Sequence, residues 1–373
     1  MATTDALAAS NNQRRNRLSG IVDVLRTEIS NHTLKPGDRL YSYSEARTAF
    51  GVVQGTWDRV ISVLEGEGLV ERRSRSGVYV VDRAQAAWQI GFLMLRGMDG
   101  KNGTIKAPYW SHLLGGMYDA AAEHKVALRL IPAEDPPGVA GIDGLLFVSD
   151  RGTPLLPTPQ IRASVALIQP VPGVASVFTA DEDGVELLAQ HLLYLGHRRI
   201  GYLIAWHLST GENRISGRRY EAYADVLTKA GISPAPQWKW EISDLDRPEL
   251  GYVPRGRDAM RAWLQNGFRE TGVTAILCQN DEAAIGAIEA LAEVGIRVPE
   301  DVSVAGFDGT EAGLYFTPRL TSVSLPLDRI GYRAMELLLA QLEAGCASNV
   351  QEKFSVQLLV RASTGAAPLV ALR

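Results

Sequence analysis

Leu18, Ile21, Val22, Leu25 and Ile29 recur at the spacing that lines one face of a helix, so residues 17–32 predict an amphipathic helix. Leu34-Lys35-Pro36-Gly37-Asp38 breaks that rhythm with a Pro-Gly turn. A short helix follows to about Phe50, capped by Ser42 or Ser44 and stopped by Gly51. A third runs from about Gly55 to Gly66, with Trp57, Val60, Ile61 and Leu64 on its inner face. Leu69-Val70-Glu71-Arg72-Arg73 and Val78-Tyr79-Val80-Val81 read as short β segments around Ser74-Arg75-Ser76-Gly77. Three helices and a basic hairpin predict a winged helix-turn-helix over about 17–82, behind a disordered tail at 1–16 and ahead of a linker at 83–89.

From Ile90 the pattern changes to apolar runs alternating with helical stretches. Strand candidates are Ile90–Leu95, Leu128–Ile131, Gly144–Val148, Val165–Ile168, Ile200–Ile204, Ala275–Leu277 and Val302–Phe307. Helices fall near 110–123, 184–195, 217–230, 256–266, 281–294 and 327–344. Such alternation implies an α/β fold with parallel sheets flanked by helices. The length predicts two lobes in 90–373: the first about 90–179 and 326–345, the second about 180–324 and 350–373.

Composition narrows the class. Hydrophobic residues make up 46% and charged residues 21%, ordinary for a globular protein, and no apolar run reaches the ~18–20 residues of a membrane span. The first sixteen residues lack the apolar core of a secretory signal. Two cysteines, Cys278 and Cys346, are too few for a disulfide framework or a zinc site, which fits a reducing, cytoplasmic setting. Net charge is −4, yet Gln13 to Arg83 holds twelve Arg/Lys against nine Asp/Glu, a modest basic excess on the module expected to meet DNA.

Leu34 to Val81 resembles the GntR family of bacterial repressors. The matching pieces are Leu34-Lys35-Pro36-Gly37-Asp38-Arg39-Leu40, Phe50-Gly51-Val52, Leu64-Glu65-Gly66-Glu67-Gly68-Leu69-Val70 and Gly77-Val78-Tyr79-Val80. The resemblance implies a recognition helix whose N-terminal residues reach base edges in the major groove. Gln54, Gly55, Thr56 and Arg59 would be offered there, with Ser42 and Ser44 on the preceding helix. Arg72, Arg73 and Arg75 would neutralise phosphates, and Gly77 would let the wing turn tightly. The chain departs from the family at Tyr41, where a proline is usual, and at Ser44, Gln54 and Asp58, where basic contacts are usual. The alternative reading of these helices is a protein–protein module.

Five segments resemble the sensor domain of the lactose-repressor (LacI) family, itself similar to periplasmic sugar-binding proteins. They are Pro108–Gly116, Ile142–Leu146, His191–Gly201, Arg219–Ile232, and Thr274–Asp308 continuing through Thr317–Val323. This head on this sensor is similar in layout to the arabinose-type repressors. Arg219, Asn280 and Asp308 stand where that family holds its ligand, and Gln169 where relatives often carry aspartate. A sugar site needs planar polar groups that hold paired hydroxyls and an aromatic cover, which Tyr109 or Trp110 would supply. Each residue has a plainer reading: Asp308 in a turn, Asn280 as a helix cap although Asp281 is the favoured cap of the two, Arg219 in an ion pair, and Trp206, Trp238 and Trp240 in rim or core packing.

The expectation is therefore a DNA-binding transcription regulator, most simply a repressor, controlled by a small sugar-like effector and acting as a homodimer on a double-stranded operator. Enzyme motifs such as G-x-S-x-G, H-E-x-x-H, C-x-x-C and the Walker loop do not occur, so no catalysis, metal, cofactor or membrane attachment is expected. The competing expectation is a regulator whose sensor has lost its ligand and serves as an interaction module.

Overall fold

The computed structural model describes residues 18–29, 33–66, 68–74, 76–81, 88–93, 108–132, 141–148, 161–205, 214–242 and 251–369. The tail expected at 1–16, most of the linker at 83–89, Arg75 and Trp206 lie outside the described residues. Among those described, no helix is long and apolar enough to cross a membrane, and no cluster of three His, Cys, Asp or Glu side chains could hold a metal ion.

The N-terminal module is α1 (residues 18–29), α2 (Tyr43–Phe50), α3 (Gln54–Gly66), β1 (Val70–Arg73) and β2 (Gly77–Val80). Ser42 and Glu45 close a reciprocal capping box on α2: the Glu45 N–H donates to Ser42 Oγ at 3.3 Å and the Ser42 N–H to Glu45 Oε2 at 2.6 Å. Gly51, left-handed at φ 62°, ends α2. Leu25, Leu40, Trp57, Val60, Leu64 and Val80 form a core of their own, which the helical and β periodicities both point into. The wing pairs antiparallel, Val70 opposite Val80 and Arg73 opposite Gly77.

The first lobe begins with β3 (Gln89–Leu93), α4 (Pro108–Glu123), β4 (Ala127–Ile131), β5 (Gly144–Val148), β6 (Ala163–Ile168) and β7 (Ala175–Thr179). The chain then crosses into α5 (Asp181–Tyr194), β8 (Ile200–Ile204), α6 (Arg214–Lys229), β9 (Lys239–Glu241), α7 (Tyr252–Gln265), α8 (Phe268–Thr271), β10 (Ala275–Cys278), α9 (Asp281–Glu293), β11 (Ser303–Ala305) and α10 (Glu311–Tyr315). β12 (Ser322–Ser324) leads back to α11 (Leu327–Ala344), β13 (Gln351–Phe354) and β14 (Gln357–Leu359). One sheet has the order β13-β7-β6-β5-β3-β4 and the other β11-β10-β8-β9, every pair parallel, while β12 and β14 pair antiparallel.

One expectation is corrected. The sequence pattern puts residues 350–373 on the second lobe, but Gln351 to Phe354 register with Ser176 to Thr179 on the edge of the first sheet. The chain therefore crosses a third time between β13 and β14, and only the segment beyond it returns to the second lobe, where Ser363 accepts from the Val304 N–H.

Each lobe packs one helix pair through facing glycines. A Cβ on Gly116 of α4 would lie 1.8 Å from the Asp328 carbonyl oxygen, and one on Gly331 of α11 2.0 Å from that of Leu113. In the second lobe the reciprocal pair is Gly256 on α7 and Gly286 on α9, 2.4 and 2.1 Å from the Ala283 and Val253 carbonyl oxygens. Backbones this close admit no side chain at the crossing.

Candidate ligand cleft and DNA interface

Open parallel sheets leave groups unpaired at the carboxyl ends of their strands, and that is where the polar residues gather. β10 runs into Gln279 and Asn280, and β11 into Phe307 and Asp308. Arg219 reaches them from α6, its side chain 7% exposed. Its Nε donates to Asp181 Oδ2 at 2.9 Å, its second terminal nitrogen meets the same oxygen at 2.8 Å, and the first donates to the Gln279 carbonyl at 3.0 Å. That nitrogen also lies 3.9 Å from Asp308 Oδ1, and the guanidinium sits 3.8 Å from the Phe307 ring centroid. A fork with rigid geometry is thus held in one orientation, with Asp308 at its edge.

Asp181 is the residue the sequence reading passed over as a cleft group. It opens α5 immediately after the first crossover, and its other oxygen accepts from the Thr179 hydroxyl. One buried carboxylate therefore ties the arginine to the crossing segment. The available signal was an acidic residue just past the end of an apolar strand.

Asn280 and Asp281 divide the work the opposite way from the expected one. Asn280 is the cap of α9, its Oδ1 accepting from the Ala283 N–H at 2.8 Å. Asp281, expected as the likelier cap, points inward and accepts from the Thr310 N–H at 2.6 Å, the Thr310 hydroxyl at 3.0 Å and the Ser322 hydroxyl. The reason is donor supply: Thr310 and Ser322 stabilise a buried carboxylate in a way an amide oxygen could not match.

Asp308 takes a φ of 114°, a strained conformation for a residue with a side chain, and its N–H donates to the Val323 carbonyl. Burial pushes its carboxyl well above the usual range; Arg219 opposes that, and Asp281, Asp181 and Glu282 add to it. Glu282 is pushed up to about 7 by burial and then by Asp281. Tyr252, at the start of α7, is raised to about 12 by burial and Glu282, against Arg255.

From the first lobe, Tyr109 and Trp110 open α4, half-buried and edge-to-face at 4.8 Å. Burial raises the Tyr109 phenol well above its ordinary value, Asp181 and Asp308 raise it further and Arg219 lowers it. A first-lobe phenol therefore stands in the field of the second lobe's charges. Gln169 follows β6 after Ile168, whose φ is 74°; it is 5% exposed and its Nε2 has no hydrogen-bond partner. Trp240 instead stacks on Trp263, within the second-lobe core. His197 fastens the chain end, bonding Thr274 through Nδ1 at 2.9 Å and the Gly365 carbonyl through Nε2 at 3.0 Å. A groove of about 400 Å³ lies between α4, α11 and β13, lined by none of the candidate ligand residues; Arg333 there is already paired with Glu336 and Glu352.

On the head, Gln54, Gly55 and Arg59 are exposed and Thr56 half-buried at the start of α3; Ser44 is exposed, and Ser42 is engaged in its cap. Val53, just before the helix and 68% exposed, was not foreseen. Arg72 donates to Glu65 at 3.1 Å and Ser62 at 3.4 Å, and Arg73 to Glu71 at 2.8 Å while lying over Tyr79. Exposed pairs of this kind are worth about 0–1 kcal/mol, so phosphates can replace the carboxylates. Gly77 has a φ of 124°, and a Cβ there would meet Arg39 Nε at 2.9 Å.

Fold and site together define a two-part molecule, a gntR-like winged helix-turn-helix joined to a periplasmic-binding-protein-like domain. Residues 18–80 match the bacterial regulatory proteins of the gntR family, and residues 189–364 the periplasmic binding protein-like domain. The chain is 32% identical over 181 residues to the HTH-type transcriptional repressor PurR of Pasteurella multocida, covering 48% of this chain and 50% of that one. It is 33% identical over 215 residues to the HTH-type transcriptional regulator GalR of Escherichia coli, 57% and 58% of the two chains. It thus spans about half the length of the curated relatives it matches. The transcriptional regulator CelR in complex with cellobiose has the same fold, with a TM-score of 0.61, 21% identity and coverage of 85% of this chain and 93% of that one. These relatives are transcriptional regulators rather than enzymes.

Proposed function

We propose that the protein is a cytoplasmic, homodimeric transcription repressor, not an enzyme, whose grip on a double-stranded operator is set by a small neutral or sugar-like effector held between the two lobes. The observation that carries this reading is the buried Arg219 beside Asp308 at 3.9 Å at the strand ends of one lobe, with the Tyr109 phenol of the other lobe within the field of both. Arg219 and Asp308 would share the ligand's hydroxyls, Asn280 would offer its amide nitrogen and Gln169 its unpartnered Nε2, and Tyr109 with Trp110 would cover the apolar face. Closure over such a ligand changes DNA affinity only if the ligand favours one lobe arrangement.

Winged-helix readers bind paired half-sites as dimers. Exposed tyrosines on both lobes, Tyr118 at 48% and Tyr315 at 79%, offer apolar surface for a second copy. On the head, Gln54, Thr56 and Arg59 would read bases, while Ser44, Arg72, Arg73 and Arg75 would hold the backbone.

The experiment is a melting-temperature series with D-ribose, D-galactose, cellobiose and related neutral sugars, paired with selection of binding duplexes from a random pool. At least one sugar should raise the melting temperature of the wild type and not of Asp308→Asn, and one duplex family should be enriched. No shift with any sugar, together with an enriched duplex, would make the sensor an interaction module instead.

A further inference from the structure

The outer flank of α3 carries Gln54, Asp58, Ser62 and Glu65, all exposed and spaced to fall on one stripe. Among the described residues, one cation of the wing meets this stripe. Arg72 binds its C-terminal half, through Glu65 at 3.1 Å and Ser62 at 3.4 Å. Asp58, one turn nearer the N-terminus and beside Gln54, has no cationic partner among the described residues. Arg59 follows it in sequence but lies about 100° further round the helix.

A lone carboxylate on a helix that enters a groove walled by phosphates is repelled unless it finds a donor. The major groove holds two such donors, the amino groups of cytosine and adenine. Adenine sets the N7 acceptor beside its amino group, which suits the amide of Gln54 and repels a carboxylate. Cytosine presents its N4 amino group with no acceptor on the same base. We propose that Asp58 is a specificity-determining residue, accepting a hydrogen bond from the N4 amino group of one cytosine in each operator half-site. This rests on the DNA-reading function proposed above and adds to it a base and a residue.

The test is duplex selection from a random pool with the full-length wild type and Asp58→Asn, an exposed change that leaves the helix core untouched. The wild type should enrich a site with a fixed cytosine in each half-site, and exchanging that C·G for T·A should weaken binding about tenfold or more. Asp58→Asn should enrich the same site with that position relaxed, and the exchange should then cost less than about threefold. An enriched site whose preferences are identical in both proteins, or one without a fixed cytosine, overturns this inference and leaves the DNA reader standing. Failure of the wild type to enrich any duplex overturns both.

Discussion

The two lobes of the periplasmic-binding-protein-like domain share a construction and differ in chemistry. Both are parallel sheets backed by a helix pair that crosses at facing glycines. The second lobe, however, gathers Arg219, Asp181, Asp281, Glu282 and Asp308 at its strand ends, whereas the first offers Tyr109, Trp110 and an unpartnered amide, Gln169. In the second lobe, the groups that would hold a ligand are also tied into the fold, Arg219 to Asp181 and Asp308, and Asp281 to Thr310 and Ser322. In the first lobe, Tyr109 and Trp110 pack on the core, and the Gln169 Nε2 has no partner in the fold.

The largest test of that difference is Arg219→Ala. It leaves Asp181 buried without its partner, which typically costs about 3–5 kcal/mol, so urea unfolding should show a heavy loss of stability along with loss of the ligand response. Near-wild-type stability would mean the ion pair is not structural. Next come Gly116→Ala in the first lobe and Gly286→Ala in the second. Each forces a methyl group onto a backbone oxygen and should cost about 1–3 kcal/mol by the same measurement. Equal losses would support the shared construction, and a harmless change at either site would break it.

Gln169→Leu should move the two properties in opposite directions. Removing a buried donor with no partner should leave stability unchanged or raise it by up to about 1 kcal/mol, while the melting shift given by the effector shrinks. A destabilised variant with intact ligand response would place Gln169 with the second lobe's kind. A further effect is a pH dependence. The folded value of Glu282 is raised to about 7 from 4.5, so this group favours the fold at low pH and that contribution is lost as pH rises through about 7. Glu282→Gln should therefore gain stability relative to wild type between pH 4.5 and 7 and hold that gain above it. A gap independent of pH would show that Glu282 does not titrate there.

The same contrast governs what could be read from the chain alone. Gly144–Val148 and Ile200–Ile204 are buried along their whole length, and such apolar runs announce central parallel strands. Gln351-Glu352-Lys353-Phe354 is an edge strand whose polar side chains hide it, and only its pairing with β7 places it. Arg219, Asn280 and Asp308 can be picked out as candidates from the sequence because they sit in family-like segments. Asp181 was not, because its role depends on Thr179 and Arg219, two and thirty-eight residues away. The exchange of roles between Asn280 and Asp281 depends on Thr310 and Ser322, which no local pattern connects to them. Ser42 and Ser44 were equal candidates for the α2 cap until Glu45 closed the box with Ser42.

The central claim is that occupancy of the cleft controls the head. Its most direct measurement is the affinity of the full-length protein for its selected duplex, with and without the sugar that raises its melting temperature, in wild type and Asp308→Asn. The account predicts a change of about tenfold or more on adding sugar to the wild type, and under about twofold in the variant, with equal affinities in the absence of sugar. A wild type that binds the sugar yet holds the duplex equally tightly in both conditions would contradict it.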